Sequence, residues 1–308
     1  MTRQFCIQAA VGLVLFVAAS CVSTPSEKRT TVRFSIPEGS TRVAVLGTAD
    51  PTARPRAEDP IGRPRRPAAL ALWSRGPDVL TLVDAPEGTL DALAGLALPE
   101  GFRAGAGAPV DRIFLTEGTA DRIEGLRPLA EAAPPEARIE VLVPPGTAIP
   151  SPGDPLVAEG RLAFRAVGHG EEIELSPTAR VTAFHVPLAD GRTALGVGVA
   201  GVERRLLYLP RLGPLERLAP GLVELAAPAA LVLLDGSRYR PGDPDDGAGG
   251  PAITTLLTRL DGLPRAGHAV FFTRLAPGNP LLDPRTRESR LLDDAQRALA
   301  LDGTEWWL

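Results

Sequence analysis

The chain carries 37 Asp and Glu residues but only three His, and the stretch whose residue types and spacing say most about chemistry is 113–126, IFLTEGTADRIEGL. Its apolar opening (Ile113, Phe114, Leu115) reads as a strand, Thr116 leads a loop, and a helix is expected to open near Asp121 and continue through Ile123, Gly125 and Leu126. Glu117, Thr119, Asp121 and Arg122 would then share one strand–loop–helix corner. Glu117 and Asp121 could donate to a metal. Thr119 is a poor ligand, and Arg122 cannot ligate because a guanidinium stays protonated. A zinc site asks for three or four imidazole, carboxylate or thiolate donors at ~2.0–2.3 Å.

Further candidates lie elsewhere. The chain has three histidines. His185 falls in the apolar run 181–186 and faces either core or pocket; a core histidine with a satisfied hydrogen bond is the favoured role. His169 reads as part of a surface turn and His268 as the start of a strand. Asp84 and Asp235 each end an apolar strand; a capping role is favoured for Asp84, while Asp235 stands open between capping and a pocket role. Ser237 has no nucleophile elbow and no triad partners in order. The spaced glycines of 101–107 lack the lysine and helix of a phosphate loop.

These groups must be positioned by the surrounding elements. Strand-length apolar runs recur at 32–36, 42–46, 69–73, 79–83, 113–115, 139–143, 162–167, 172–175, 181–186, 194–199, 206–209, 231–234 and 269–272. Helical spacing occurs at 90–98, 123–132, 215–225, 253–260 and 287–301. Strands dominate the early part and strand–helix alternation follows. Two mixed sheets packed face to face with helices outside would satisfy this pattern, an α+β arrangement in one domain over 32–308. The Pro/Arg segment 51–67 and the Gly/Asp segment 241–251 read as loops, and the arginines of 54–66 as a solvated face. Trp306 and Trp307 are expected to cover a sheet edge.

The corner at 113–126 resembles the T-H-x-H-x-D-H-x-x-G-L motif of the metallo-β-lactamase superfamily. It matches at Thr116, Asp121, Gly125 and Leu126, with Glu117, Thr119 and Arg122 at the three histidine positions. Five more segments resemble the PqqB branch of that superfamily, which serves pyrroloquinoline quinone biosynthesis: RVAVLGT at 42–48, LLYLPRLG at 206–213, LLDGS at 233–237, FFTRLAPGNPLL at 271–282, and the carboxyl end 301–308. The resemblance implies an αββα sandwich with a metal site at the corner. It also locates the departures. Arg274 stands where the branch has its late histidine, and Arg211 where hydrolases of the superfamily place a bridging aspartate. No cysteine lies between Ala49 and Pro67, where the branch holds a structural zinc. Only Asp121 keeps its place in the ligand set, unless His185 has shifted to serve. The expectation is therefore no cofactor and a vacated pocket in which Arg122 or Arg274 pairs with Asp121 and Glu117, since buried charges must be paired. The alternative is an enzyme with an unusual zinc or iron site built from Glu117, Asp121 and His185.

The amino terminus carries an address. Arg3 precedes an apolar segment, 5–19, too short for a membrane span, and small residues lead to Cys21. This looks like a bacterial lipobox: residues 1–20 as signal peptide, Cys21 as the lipidated residue, 21–31 as tether. Cys6, the other cysteine, lies within the signal, so disulfides and thiolate-bound metal are not expected in the remaining chain. Val22 after the lipidated cysteine hints at the outer membrane. A net charge of −4 argues against nucleic acid as a partner. The expected setting is the periplasmic face of a membrane, reached through the lipid anchor, with an unspecified protein or small-molecule ligand.

Overall fold

The computed structural model describes residues 39–50, 57–58, 64–74, 79–96, 110–148, 154–219, 221–244, 248–263, 267–295 and 297–308. The expected signal peptide (1–20), Cys21, the expected tether (21–31), the apolar run 32–36, most of 51–63 and the glycines of 101–107 lie outside the described residues.

Every described residue belongs to the compact unit Pro37–Leu308, built as two seven-stranded sheets face to face. The first half of the chain supplies β1 (Thr41–Gly47), a small ribbon of β2 (Ala57–Glu58) and β3 (Pro64–Arg65), β4 (Ala69–Ser74) and β5 (Val79–Val83). It continues with α1 (Thr89–Ala94), β6 (Val110–Phe114), α2 (Ala120–Ile123), α3 (Leu126–Ala132), β7 (Ile139–Val143), α4 (Pro155–Ala158) and β8 (Leu162–Ala166). The second half supplies β9 (Glu172–Ser176), β10 (Ala179–Pro187), β11 (Thr193–Ala200), β12 (Arg205–Leu209), α5 (Leu222–Ala226) and β13 (Leu231–Asp235). It ends with α6 (Ile253–Arg259), β14 (Ala269–Thr273), α7 (Arg287–Asp294), β15 (Ala298–Leu299) and β16 (Glu305–Trp307).

The sheet orders are β16-β1-β4-β5-β6-β7-β8 and β15-β14-β13-β12-β11-β10-β9. Each sheet is antiparallel in one half and parallel in the other: β5 to β8 run parallel in the first, β12 to β15 in the second. Parallel neighbours need a crossover, and the helices supply it. Strand–helix alternation thus occurs in both halves, where the sequence pattern suggests it only late. The side chains of β13 divide cleanly. Leu231 and Leu233 enter the core between the sheets with Val43, Val45, Phe114 and Val181, while Val232 and Leu234 face Leu222, Ile253 and Leu256 of α5 and α6. Burial on both faces explains its unbroken apolar run.

Two elements depart from expectation. Helical spacing over 287–301 ends at Asp294, because the chain turns back to lay β15 beside β14. Trp306 and Trp307 do not merely cover an edge: they form the edge strand, paired with β1. Trp306 meets Phe271 at 5.1 Å in the core, and the Arg42 guanidinium lies over Trp307.

Candidate functional site

Parallel strands end on one rim of their sheet, and this chain places charge at those ends. Asp50 follows β1, Asp84 follows β5, and Thr116 and Glu117 follow β6. Arg211 comes after β12, Asp235 closes β13, and Arg274 follows β14. Ligand sites in parallel sheets gather outside these carboxyl ends. Local backbone singles out the same rim. Asp84 and Arg274 are the two non-glycine residues with positive φ among the described residues, at 65° and 57°. Such conformations persist only where the surroundings hold them, and they cluster at functional sites.

Asp84 is the hub of the first half. Its backbone N–H donates to Phe114 O at 2.7 Å, and its carboxylate accepts from the Thr116 N–H at 2.7 Å and the Thr116 hydroxyl at 2.7 Å. Arg122, with no exposed side-chain surface, donates through Nη1 to Asp84 Oδ2 at 2.9 Å and to Ala68 O at 2.9 Å. Burial pushes the Asp84 carboxyl above its ordinary range, opposed by the Arg122 charge and by the Thr116 donors. The expected partner, Asp121, is half-exposed and 3.7 Å from Arg122 Nε, too far for a hydrogen bond. The corner itself is strapped down: Ala85 N–H donates to Arg122 O, Gly125 N–H to Ala85 O, and Leu195 N–H of β11 to Thr116 O.

Glu117, buried on the loop, pairs across the sandwich with Arg211, Nε to Oε1 at 3.2 Å, and more loosely with Arg192 at 3.6 Å. Arg274 reaches Asp50 at 3.0 Å, Pro210 O at 3.3 Å and Asp235 at 3.5 Å; it contacts neither Asp121 nor Glu117 as expected from the sequence. Asp235 also accepts from Leu212 N–H and Ser237 N–H, so the capping and pocket roles left open for it coincide. Beneath lies the Tyr208 hydroxyl, fully buried and without a hydrogen-bond partner among the described residues; burial and the Asp84 charge push this phenol upward. Arg122, Arg211 and Arg274 therefore interleave with Asp84, Glu117, Asp50 and Asp235, all of them buried.

Asp84 is legible at a strand end, and the capping role favoured for it fits the bond it accepts from the Thr116 N–H; its arginine partner is not legible. Sequence reasoning missed Asp50, whose one signal is that it stands three residues past the Gly47 that ends β1.

A divalent cation does not fit this arrangement. Guanidinium groups separate the carboxylates, and one oxygen of Glu117 already faces Arg211. Among the described residues no group of three or more His, Cys, Asp or Glu side chains could hold a metal. The alternative set is not assembled: His185 Nε2 bonds Val167 O at 2.8 Å, and its backbone N–H donates to His169 Nδ1 at 3.0 Å. His268 bonds Ala229 O. A cleft of about 410 Å³ is lined by Glu117 and Arg192 together with Thr119, Thr147 and Thr193.

The family described as the β-lactamase superfamily domain matches residues 81–269, more than half of the chain. The chain belongs to the metallo-β-lactamase superfamily. Its fold is the superfamily's, and the match runs from β5 into β14, taking in Asp84, Arg122, Arg211 and Asp235. Zinc-bound PqqB from Methylobacterium extorquens superposes with a TM-score of 0.68 at 20% identity, covering 87% of this chain and all of that one. The metallo-β-lactamase fold protein YhfI from Bacillus subtilis gives 0.61 at 14% identity, over 88% of this chain and all of that one. A diphosphatase from the PhnP family gives 0.60 at 20% identity, over 87% and 97%. No curated protein matches in sequence.

Proposed function

We propose that this protein is a PqqB-like lipoprotein of metallo-β-lactamase fold that has left metal-dependent hydrolysis and acts as a binding or assembly component at the periplasmic face of a membrane. The observation that carries this reading is the buried ion network. Three arginines stand at or beside the positions where the superfamily motif carries metal donors, each matched to a carboxylate. A cation introduced there would meet like charge and would have to strip Glu117 and Asp84 of their partners. The cleft beside Glu117 and Thr119 supports a binding role, since it offers hydroxyls, a guanidinium and a carboxylate around a concave surface. Zinc belongs to the PqqB neighbour and diphosphatase activity to the PhnP-family neighbour. Neither carries over at 20% identity.

The test is elemental analysis of the full chain, dialysed after exposure to excess zinc. Far less than one zinc per chain is expected. Stoichiometric zinc overturns the reading, and Glu117, Asp121 and His185 become the first ligands to replace.

A further inference from the structure

A second cleft, also of about 410 Å³, shares no lining residue with the first. Its walls are largely apolar, built from Leu46, Leu96, Leu275, Leu282, Leu299 and Leu301. Four polar residues complete it: Thr48, Arg65, Arg66 and Asp302. Three of them are engaged. Asp302 accepts from the Thr48 hydroxyl at 2.7 Å through one oxygen and from the Arg66 backbone N–H at 2.8 Å through the other. Buried Arg65 donates to Thr48 O at 2.7 Å and Leu275 O at 3.3 Å. Arg66 differs. Its backbone is structural, since the carbonyl also accepts from Thr48 and Ala49 N–H, but its side chain is exposed and makes no ion pair or hydrogen bond with the described residues. Two guanidinium groups against one carboxylate leave the cleft positive.

A concave apolar surface beside one exposed cation, whose charge reaches Asp302 but which makes no direct contact among the described residues, has a matching ligand chemistry. We propose that this cleft binds a single-chain amphiphile with an anionic head, of the fatty-acid class. The acyl chain lies against the leucines and the carboxylate meets Arg66, a charge-assisted contact whose geometry suits a planar acid. Nothing in this assignment depends on the fate of the metal site, which lies among other residues.

The test titrates the full chain with dodecanoate below its micelle concentration. Cell-free synthesis leaves Cys21 unacylated; the apolar segment 5–19 then remains, and titrating Arg66→Gln in the same form separates the cleft from that segment. One saturable site per chain is expected. Affinity should rise from octanoate to dodecanoate by up to roughly fourfold per methylene, the limit for full burial. Arg66→Gln keeps every backbone bond and should weaken binding at least tenfold, while Arg66→Lys should restore most of it. Leu301→Glu, at an already exposed wall position, should also weaken dodecanoate through like charge. Dodecyltrimethylammonium, with the same tail and a cationic head, should not bind at these concentrations. The proposal fails if dodecanoate shows no saturable binding, if both head groups bind equally, or if Arg66→Gln and Leu301→Glu bind dodecanoate as tightly as the wild type.

Discussion

Arg122 is one of the two largest fully buried side chains that carry charge, and its energetics follow from its partner. Removing it would strand the Asp84 carboxylate with only the Thr116 donors, and breaking a buried pair in this way costs about 3–5 kcal/mol. Arg122→Ala is therefore expected to lower unfolding stability by that amount in denaturant titration at neutral pH. Adding Asp84→Asn should recover part of the loss, because no charge is then left unpaired. The pH dependence has a definite sign. An acid whose folded value is raised stabilises the fold below its unfolded value and loses that contribution as pH rises through the folded value. Burial already raises Asp84, and loss of Arg122 raises it further. The deficit of the variant should thus narrow as pH falls toward 4. A constant loss of ~0.5 kcal/mol or less at every pH would show that the pair carries no weight.

At the scale of elements, the site depends on how closely α2 and α3 approach the end of β5. Gly125 stands at their junction with φ −79°, a conformation open to any residue, so freedom of rotation is not its purpose. A Cβ there would lie 2.4 Å from Pro86 O and 2.7 Å from Ala85 O, inside any real contact. Gly125→Ala must push the helix pair away from Asp84, taking the Ala85–Arg122 and Gly125–Ala85 backbone bonds with it. Overpacking of this kind costs about 1–3 kcal/mol. Gly88, by contrast, meets nothing within 4 Å, and its φ of 80° is the constraint. Gly88→Asn, a residue that tolerates that φ, should therefore cost less than Gly125→Ala in the same denaturant series. Equal losses would mean that the helix junction has room to move.

For the molecule as a whole, no described helix is long and apolar enough to cross a membrane, and the attachment proposed above rests on Cys21. Metabolic labelling with a fatty acid is expected to mark the wild-type chain and not Cys21→Ser. A labelled serine variant would give the tether another origin. One acyl chain binds a bilayer only marginally, so firm anchoring would need the several chains of a bacterial lipoprotein.

The sandwich was readable from the sequence because its signals are local. Apolar runs such as those of β4, β5 and β13 are buried on both faces, and burial leaves its mark residue by residue. The corner at Thr116–Arg122 was readable for the same reason, as was the presence of arginine at positions where donors were expected. The pairings were not. Asp84 and Arg122 are 38 residues apart, Asp50 and Arg274 are 224 apart, and an ion pair leaves no periodicity for a sequence to display. Sequence alone offered Asp121 and Glu117 as partners for the arginines because they are neighbours in the chain. Tertiary structure kept Asp121 as a loose, half-exposed partner of Arg122 at 3.7 Å, while the strand ends bring Asp84 beneath Arg122 in direct contact and set Glu117 against Arg211. Which charges meet is decided by the strand order of two sheets, and that order exists only once the chain has folded.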